Sequence, residues 1–195
     1  ESIDFLKEKY PQFAHKISFQ DFLEADLNAL VAEKYYNIIG NFPYNISTQI
    51  MFKVLENRNN VNYVVGMFQK EVAQRIAEKP GSKTYGILSV LLQAFYKIEY
   101  LFTVHEQVFT PPPKVKSAVI RLTRNAIQNL DCNEELFFKV VKASFNQRRK
   151  TVRNSVKSMV GNHLVDSIYL DKRAEQLSVD EFVQLTNAIE KALKV

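Results

Sequence analysis

Tyr35-Tyr36-Asn37-Ile38-Ile39-Gly40-Asn41-Phe42-Pro43-Tyr44-Asn45-Ile46-Ser47-Thr48-Gln49-Ile50 is the stretch on which the reading of this chain turns. A β-branched apolar run stops at Gly40-Asn41, turns through a proline and restarts at Ser47-Thr48 as an amphipathic helix, with Ser47 or Thr48 expected as its cap. The pattern predicts a strand, a stiff polar loop and a helix. In an open α/β sheet such a loop lies at the carboxyl end of its strand, where ligands bind. It offers an amide side chain (Asn41), a carbonyl (Phe42) held by the fixed φ of Pro43, and an aromatic ring (Tyr44). Two acceptors beside a flat ring suit a planar, amino-bearing heterocycle. The same tetrapeptide also reads as an ordinary turn after a strand, because Asn and Pro are common turn formers.

Outward from this stretch, helical spacing in residues 2–10 ends at Pro11, and His15 to Phe19 reads as a short strand. Asp26 to Lys34 reads as a helix, and Tyr36 to Ile39 as a strand buried on both faces by its continuous apolar character. Ile50, Met51, Val54 and Leu55 mark the inner side of the following helix. A strand over Tyr63 to Phe68 leads into a helix over Lys70 to Glu78, where Glu71 and Arg75 stand at i, i+4 as a surface ion pair. Tyr85 to Tyr96 is the most apolar helix. Lys97 to Val104 and Ser117 to Thr123 read as two strands joined across Phe109-Thr110-Pro111-Pro112-Pro113, an antiparallel close to an otherwise parallel sheet.

The polar, aperiodic stretch Asn125 to Asn133 separates an α/β part, residues 1–127, from an all-helical part, residues 128–195. Leu136, Phe137, Val140, Val141 and Ser144 form one apolar stripe, and Phe145, Val152, Val156 and Met159 another. Ser178 and Glu181 form a capping box for a last helix with Phe182, Leu185, Ile189 and Leu193 inward.

The 195 residues carry a net charge of +5, unevenly spread. Between Leu136 and Val165 stand Lys139, Lys142, Arg148, Arg149, Lys150, Arg153 and Lys157 with no Asp or Glu, so the rest of the chain sums to about −2. Read as continuous helix, Arg149, Arg153 and Lys157 share one face at i, i+4, i+8, with Lys142 and Arg148 near it. A field of one sign points to a polyanion. Cys132 is the single cysteine, which leaves no disulfide framework and suits a reducing cytoplasm. No apolar run approaches the roughly 20 residues that span a bilayer, and His15, His105 and His163 lack metal-ligand spacing.

Four stretches resemble one family in the right order: Asn41-Phe42-Pro43-Tyr44 with Asn45-Ile46-Ser47-Thr48, then Met67 to Arg75, Val108 to Val119, and Phe145 to Ser155. Together they are similar to the rRNA adenine dimethyltransferases, the KsgA (RsmA) and Dim group of S-adenosylmethionine-dependent enzymes, with the last stretch favouring KsgA over the Erm type. The resemblance implies a Rossmann-like class I methyltransferase core and a small C-terminal helical RNA-binding domain. It implies that Asn41, Phe42, Pro43, Tyr44 and Phe109 form the target-base site, and that Asp21, Phe22 and Asn41 bind the cofactor. Lys114 and the basic residues Lys142, Arg148, Arg149, Lys150, Arg153 and Lys157 are the expected RNA contacts. The implied substrate is small-subunit rRNA within an immature 30S subunit, met in the cytoplasm by a monomer that needs no metal.

One departure accompanies the resemblance. The five glycines (40, 66, 81, 86 and 161) form no glycine-rich cofactor loop, and no acid follows a second strand. By resemblance the chain starts after that strand, so about 70 to 90 residues would precede it in an intact enzyme. This chain alone is then expected to bind S-adenosylmethionine weakly or not at all. Two rival readings stand: a non-catalytic RNA-binding or ribosome-assembly factor, and an adenine methyltransferase acting on large-subunit rRNA or DNA.

Overall fold

The computed structural model describes residues 1–31 and 33–194. The chain forms two compact units, Glu1–Lys34 and Tyr35–Val195. The first holds helix α1 (Ser2–Lys9), a 3-10 helix (Pro11–Lys16) and the one-turn helix α2 (Leu27–Leu30). Two expectations change here. The strand over His15 to Phe19 is absent: Pro11 opens the 3-10 helix, whose last amide bond runs from Ile17 N to Ala14 O, and the side chain of Phe19 is 92% exposed. Alternation over so few residues does not make a strand without a ladder partner. The helix expected over Asp26 to Lys34 is only Leu27–Leu30, capped by Asp26 Oδ1 at 3.1 Å from the amides of Asn28 and Ala29 and closed by extended Val31; Ala32 lies outside the described residues.

The second unit is built on a four-stranded sheet in the order β1-β2-β4-β3, with β1 Tyr36–Asn41, β2 Val61–Gln69, β3 Tyr96–Val104 and β4 Ser117–Arg124. β1 and β2 run parallel, linked by helix α3 (Ser47–Glu56), while β4 is antiparallel to both β2 and β3. The expected antiparallel strand is present, but it inserts between β2 and β3, so β3 forms the sheet edge. Helices α4 (Lys70–Ala77) and α5 (Ile87–Gln93) pack on the sheet and α3 packs on α5. Ile38, Val64, Phe68, Ile120 and Leu122 from the strands and Ile50, Met51, Val54, Leu55 and Ile76 from the helices are all buried. Burying such side chains is worth about 1.5–3 kcal/mol each. Glu71 and Arg75 pair at 3.4 Å on the surface of α4, as their spacing predicted.

β1 is buried on one face only. Tyr36 and Ile38 are buried, whereas Ile39 projects from the other face and is 83% exposed. A β-branched run records strand propensity, but successive side chains face opposite sides, and only tertiary packing says whether both sides are covered. The helix expected over Tyr85 to Tyr96 is shorter, because Tyr96 already belongs to β3, where its hydroxyl donates to Val61 O at 3.2 Å.

Helices α6 (Glu134–Asn146), α7 (Val152–Val160) and α8 (Val179–Leu193) complete the unit, with α6 packed on α5, α7 and α8. The capping box of α8 is formed, Glu181 N to Ser178 Oγ at 3.2 Å and Ser178 N to Glu181 Oε2 at 2.8 Å, and Phe182, Leu185 and Ile189 are buried. Leu193, in the last turn, is exposed instead of inward. The link before α6 is held by two arginines. Arg124 donates to the carbonyls of Arg58, Phe95 and Ile127 at 3.0, 2.8 and 2.7 Å, and Arg58 pairs with Glu134.

The continuous basic face over Arg149, Arg153 and Lys157 does not exist. α6 ends at Asn146, and Gln147 leaves helical geometry at φ −122°, ψ 59°. The chain then turns through Lys150 N to Gln147 O at 2.8 Å, and α7 restarts after Thr151. Its first amides, Val152 and Arg153, are taken by the carbonyls of Lys172 and Leu170, both at 2.8 Å. Helical periodicity runs through a break that these distant carbonyls help to stabilise.

At the carboxyl ends of β1 and β2, Gly40 stands opposite Gly66 in the ladder, and the buried Phe42 ring lies over both. A Cβ on Gly66 would sit 2.3 Å from the Phe42 ring and one on Gly40 2.7 Å from it. Gly66→Ala is therefore expected to cost about 1–3 kcal/mol of unfolding free energy in urea titrations. The cost should shrink clearly in a Phe42→Ala background; an equal cost in both backgrounds would show that the ring is not the reason.

Candidate target-base site

Register brings three segments to one edge of the sheet. Asn41 pairs with Met67 and Gln69 pairs with Ser117, so the loop after β1, the start of α4 and the strap 105–116 between β3 and β4 meet there. Strand ends of an open α/β sheet are where ligand clefts form.

The loop is locked from below. Phe42 donates its amide to Met67 O at 3.3 Å, and its ring packs against Phe68 with centroids 5.2 Å apart. Pro43 follows at φ −59°, and its carbonyl receives the amide of Ile46. Neither Ser47 nor Thr48 caps α3. Ile46 occupies the cap position, and the buried Ser47 hydroxyl instead donates to Tyr44 O at 3.1 Å, fastening the loop to the helix start. With Phe42 turned inward, the preceding Asn41 is exposed, since neighbours alternate along the strand. Its side chain makes no hydrogen bond among the described residues, and the Phe42 carbonyl accepts none.

Tyr44 is half-buried, and its hydroxyl lies 2.5 Å from Oγ of the fully buried Ser117. This bond fixes the ring against the first residue of β4. An open cleft of about 390 Å³ results, lined by Asn41, Phe42, Pro43 and Tyr44 on one side and by Phe109, Thr110, Pro111 and Pro113 of the strap on the other. The structure thus brings together all five residues expected at the target-base site. An aromatic on each bank, a stiff apolar strap and two unpaired acceptors make a slot for a flat ring that donates through an amino group.

Three contributors escaped the sequence reading: Ser117, which anchors Tyr44, and the Gly40–Gly66 pair that makes room for Phe42. A glycine inside each of two strands is the signal that could have revealed the pair, because it marks close approach. Ser117 carries no such signal, as the strand register alone brings it to Tyr44.

Asp21 and Phe22 belong to the first unit. Asp21 is exposed, and its Oδ1 accepts the amide of Leu23 at 2.8 Å; Phe22 is half-buried. Lys114 is exposed in the strap. Lys142 stands 5.2 Å over the Phe52 ring, and Arg148 donates to the carbonyls of Lys83 and Tyr85 at 2.6 and 2.8 Å, tying down the loop before α5. Arg149 and Lys150 are exposed in the turn between α6 and α7. On α7, Arg153 pairs with Asp171 at 3.0 Å, which holds the carboxyl below its ordinary range, and Lys157 makes no ion pair among the described residues. Burial and then the carboxylates of Glu134, Asp131 and Glu190 push the Cys132 thiol up to about 11, which disfavours the thiolate. Among the described residues no three His, Cys, Asp or Glu side chains converge on a metal position, and no helix is long and apolar enough to cross a membrane.

Comparison with known proteins adds to this geometry. The profile of the family described as ribosomal RNA adenine dimethylase matches residues 4–191. A Bacteroides thetaiotaomicron protein named ribosomal RNA small subunit methyltransferase A is 58% identical over the whole chain, which spans 73% of that relative. The Cytophaga hutchinsonii protein of the same name is 63% identical over 97% of the chain and 73% of its own length. Among solved structures, a dimethyladenosine transferase from Plasmodium falciparum superposes with a TM-score of 0.80 over 98% of this chain and 80% of its own, at 22% identity. The 23S rRNA methyltransferase ErmE gives 0.67 over 97% and 78%, at 21% identity. At these identities the two likenesses establish the fold alone, a Rossmann-like core with a helical C-terminal region.

The Tyr44–Ser117 bond is the site's most testable strut. A double-mutant cycle of Tyr44→Phe and Ser117→Ala, read by urea unfolding, should give a coupling of about 0.5–1.5 kcal/mol. Additive costs would mean that the hydroxyls do not support one another.

Proposed function

Because the chain belongs to the ribosomal RNA adenine dimethylase family, we propose that it serves S-adenosylmethionine-dependent methyl transfer by gripping the adenine. The reaction transfers methyl groups to the exocyclic amines of two adjacent adenosines near the 3′ end of small-subunit (16S) rRNA, two methyls to each. The observation that carries this reading is the pair of unpaired acceptors, Asn41 Oδ1 and the Phe42 carbonyl, on residues that line a cleft with two aromatic residues.

The adenine amine is a poor nucleophile, since its lone pair is delocalised into the ring. Asn41 and the Phe42 carbonyl each accept one amino hydrogen, which favours a pyramidal nitrogen with its lone pair directed outward. Phe42 holds this geometry without reorganising, because its ring is clamped over Gly40 and Gly66 and its carbonyl is followed by Pro43. Tyr44 and Phe109 flank a base taken out of its stack, an interaction of roughly 1–3 kcal/mol. The proton that leaves the methylated nitrogen passes to water, so no dedicated base is required.

S-Adenosylmethionine supplies, when bound, the electrophilic sulfonium methyl. Of the residues present, Asp21, with Phe22 next to it in the chain, would accept from the cofactor's adenine amine; Asn41 is a separate candidate for cofactor contact. The fit rests on Asp21 Oδ2, which remains to accept after Leu23 has taken Oδ1. Lys114, Lys142, Arg148, Arg149, Lys150, Arg153 and Lys157 would meet RNA phosphates within an immature 30S subunit, with residues 128–195 as the RNA-binding domain. Arg148 does so last, its guanidinium being already committed to two carbonyls. The enzyme works as a monomer in the cytoplasm.

Methyl transfer to immature small subunits, assayed with the full-length protein, tests the chemistry. Asn41→Ala should lower kcat by about 10²-fold or more with RNA affinity retained; undiminished transfer would remove the mechanism. For the basic turn, Arg149→Glu with Lys150→Glu should weaken rRNA binding and flatten its salt dependence by roughly one unit of log–log slope per lost phosphate contact. An unchanged slope would exclude both residues from the interface.

A further inference from the structure

A second cleft, of about 260 Å³, opens between α7 and the segment 161–170. Gly161, at φ +58°, turns the chain out of α7 after its amide has closed the helix on Lys157 O at 2.9 Å. The segment then returns along α7 until Leu170 delivers its carbonyl to the amide of Arg153. Val156, Val160 and Leu170, all buried, make an apolar floor. Arg153, Asn154, Lys157 and His163 form the rim, and no carboxylate lines the cleft. Of the nearby acids, Asp171 is engaged with Arg153, and Asp166 lies in the same segment but outside the lining. Leu164, on the wall, is 95% exposed, an apolar side chain with nothing to pack on.

We propose that this cleft takes one unstacked base of single-stranded RNA, with Lys157 and Arg153 on its flanking phosphates and Leu164 against its face. The proposal deepens the RNA-binding reading above and rests on it. Size argues for a single base, because clefts that take whole ligands measure roughly 300–1,000 Å³. Unstacked bases in loops and bulges are what RNA-binding proteins capture, through an apolar face contact and hydrogen bonds to the base edge. Asn154 is placed to bond that edge, since its Nδ2 donates to Thr151 Oγ1 at 3.2 Å and its Oδ1 is left to accept. The charge pattern selects RNA over an apolar peptide. Residues 136–165 hold seven cations and no acid, and Lys157 on the rim has no ion pair among the described residues, so an uncharged peptide would leave it unpaired, whereas RNA brings a phosphate to each base.

The test uses the full chain and fluorescein-labelled hexauridylate, with an abasic hexamer of equal charge as control. Uracil lacks the amino group that the Asn41 loop matches, which keeps the two clefts apart. The wild-type chain should bind hexauridylate at least about fivefold more tightly than the abasic hexamer. Leu164→Ser, at a fully exposed position that folding does not need, should abolish that preference, while Ile168→Ser, at an exposed apolar position of the same segment outside the cleft, should keep it. Lys157→Ala should weaken both hexamers and lower the salt slope by about 0.7. Equal binding of the two hexamers, or a preference that survives Leu164→Ser, would overturn the proposal. So would methyl NMR shifts at Val156, Val160 and Leu170 that follow an uncharged leucine-rich peptide and ignore RNA. None of these measurements involves methyl transfer, so a failure of the catalytic reading would show itself separately.

Discussion

The packing of the Phe42 ring over two facing glycines is the constraint from which the site follows. A buried aromatic at the tip of a strand needs room, and the ladder provides it by pairing Gly40 with Gly66 and by presenting Phe68 as a second ring. Once Phe42 is turned inward, Asn41 must face out, since neighbouring side chains along a strand point to opposite sides. Pro43 then fixes the direction of the chain, and Tyr44 is carried to where its hydroxyl meets Ser117. Acceptors and ring are thereby positioned by interior packing and by a strand that lies about 70 residues further along the chain. Groups so held need not reorganise when a base arrives, which is the condition for electrostatic preorganisation.

The insertion of β4 between β2 and β3 does the equivalent on the opposite bank. It places Ser117 beside Gln69 and makes the strap before it, with its three consecutive prolines, run along the carboxyl edge of the sheet. Phe109, Thr110, Pro111 and Pro113 close the cleft from that side. A proline-rich strap has little conformational freedom left to lose on binding, so it can be a wall instead of a lid. The helical region contributes charge to a different surface, and the break between α6 and α7 divides that charge. Arg149 and Lys150 are presented on a turn, while Arg153 and Lys157 are presented on α7 above a small apolar cleft. A continuous helix would have made one stripe; the break makes two differently shaped contacts.

Several elements were legible because their signals are local. The strand–loop–helix unit at residues 35–50 announces itself by a β-branched run, a Gly-Asn stop, a proline and a helical restart. The capping box at Ser178 and Glu181 and the ion pair of Glu71 with Arg75 follow from spacing within one turn of helix. The failures also share a physical cause. His15 to Phe19 has the alternation of a strand but no ladder, Ile39 has strand propensity without a covered face, and residues 147–151 have helical composition where distant carbonyls from 170–172 favour a restart. In each case the deciding partner is far away in sequence.

The amino-acid sequence alone therefore settled the chemistry on offer: an amide, a proline-held carbonyl and an aromatic at a strand's end, a second aromatic before three prolines, and a run of cations without acids. Motif content of that kind survives in any conformation, because it depends only on which groups neighbour one another along the chain. Tertiary structure decided which oxygens are free and which rings face each other. It also decided that Arg148 serves the backbone, and that a pocket lies under Lys157. Those outcomes depend on strand register, on the volume left by two glycines and on carbonyls contributed from afar, and no periodicity in the chain encodes them.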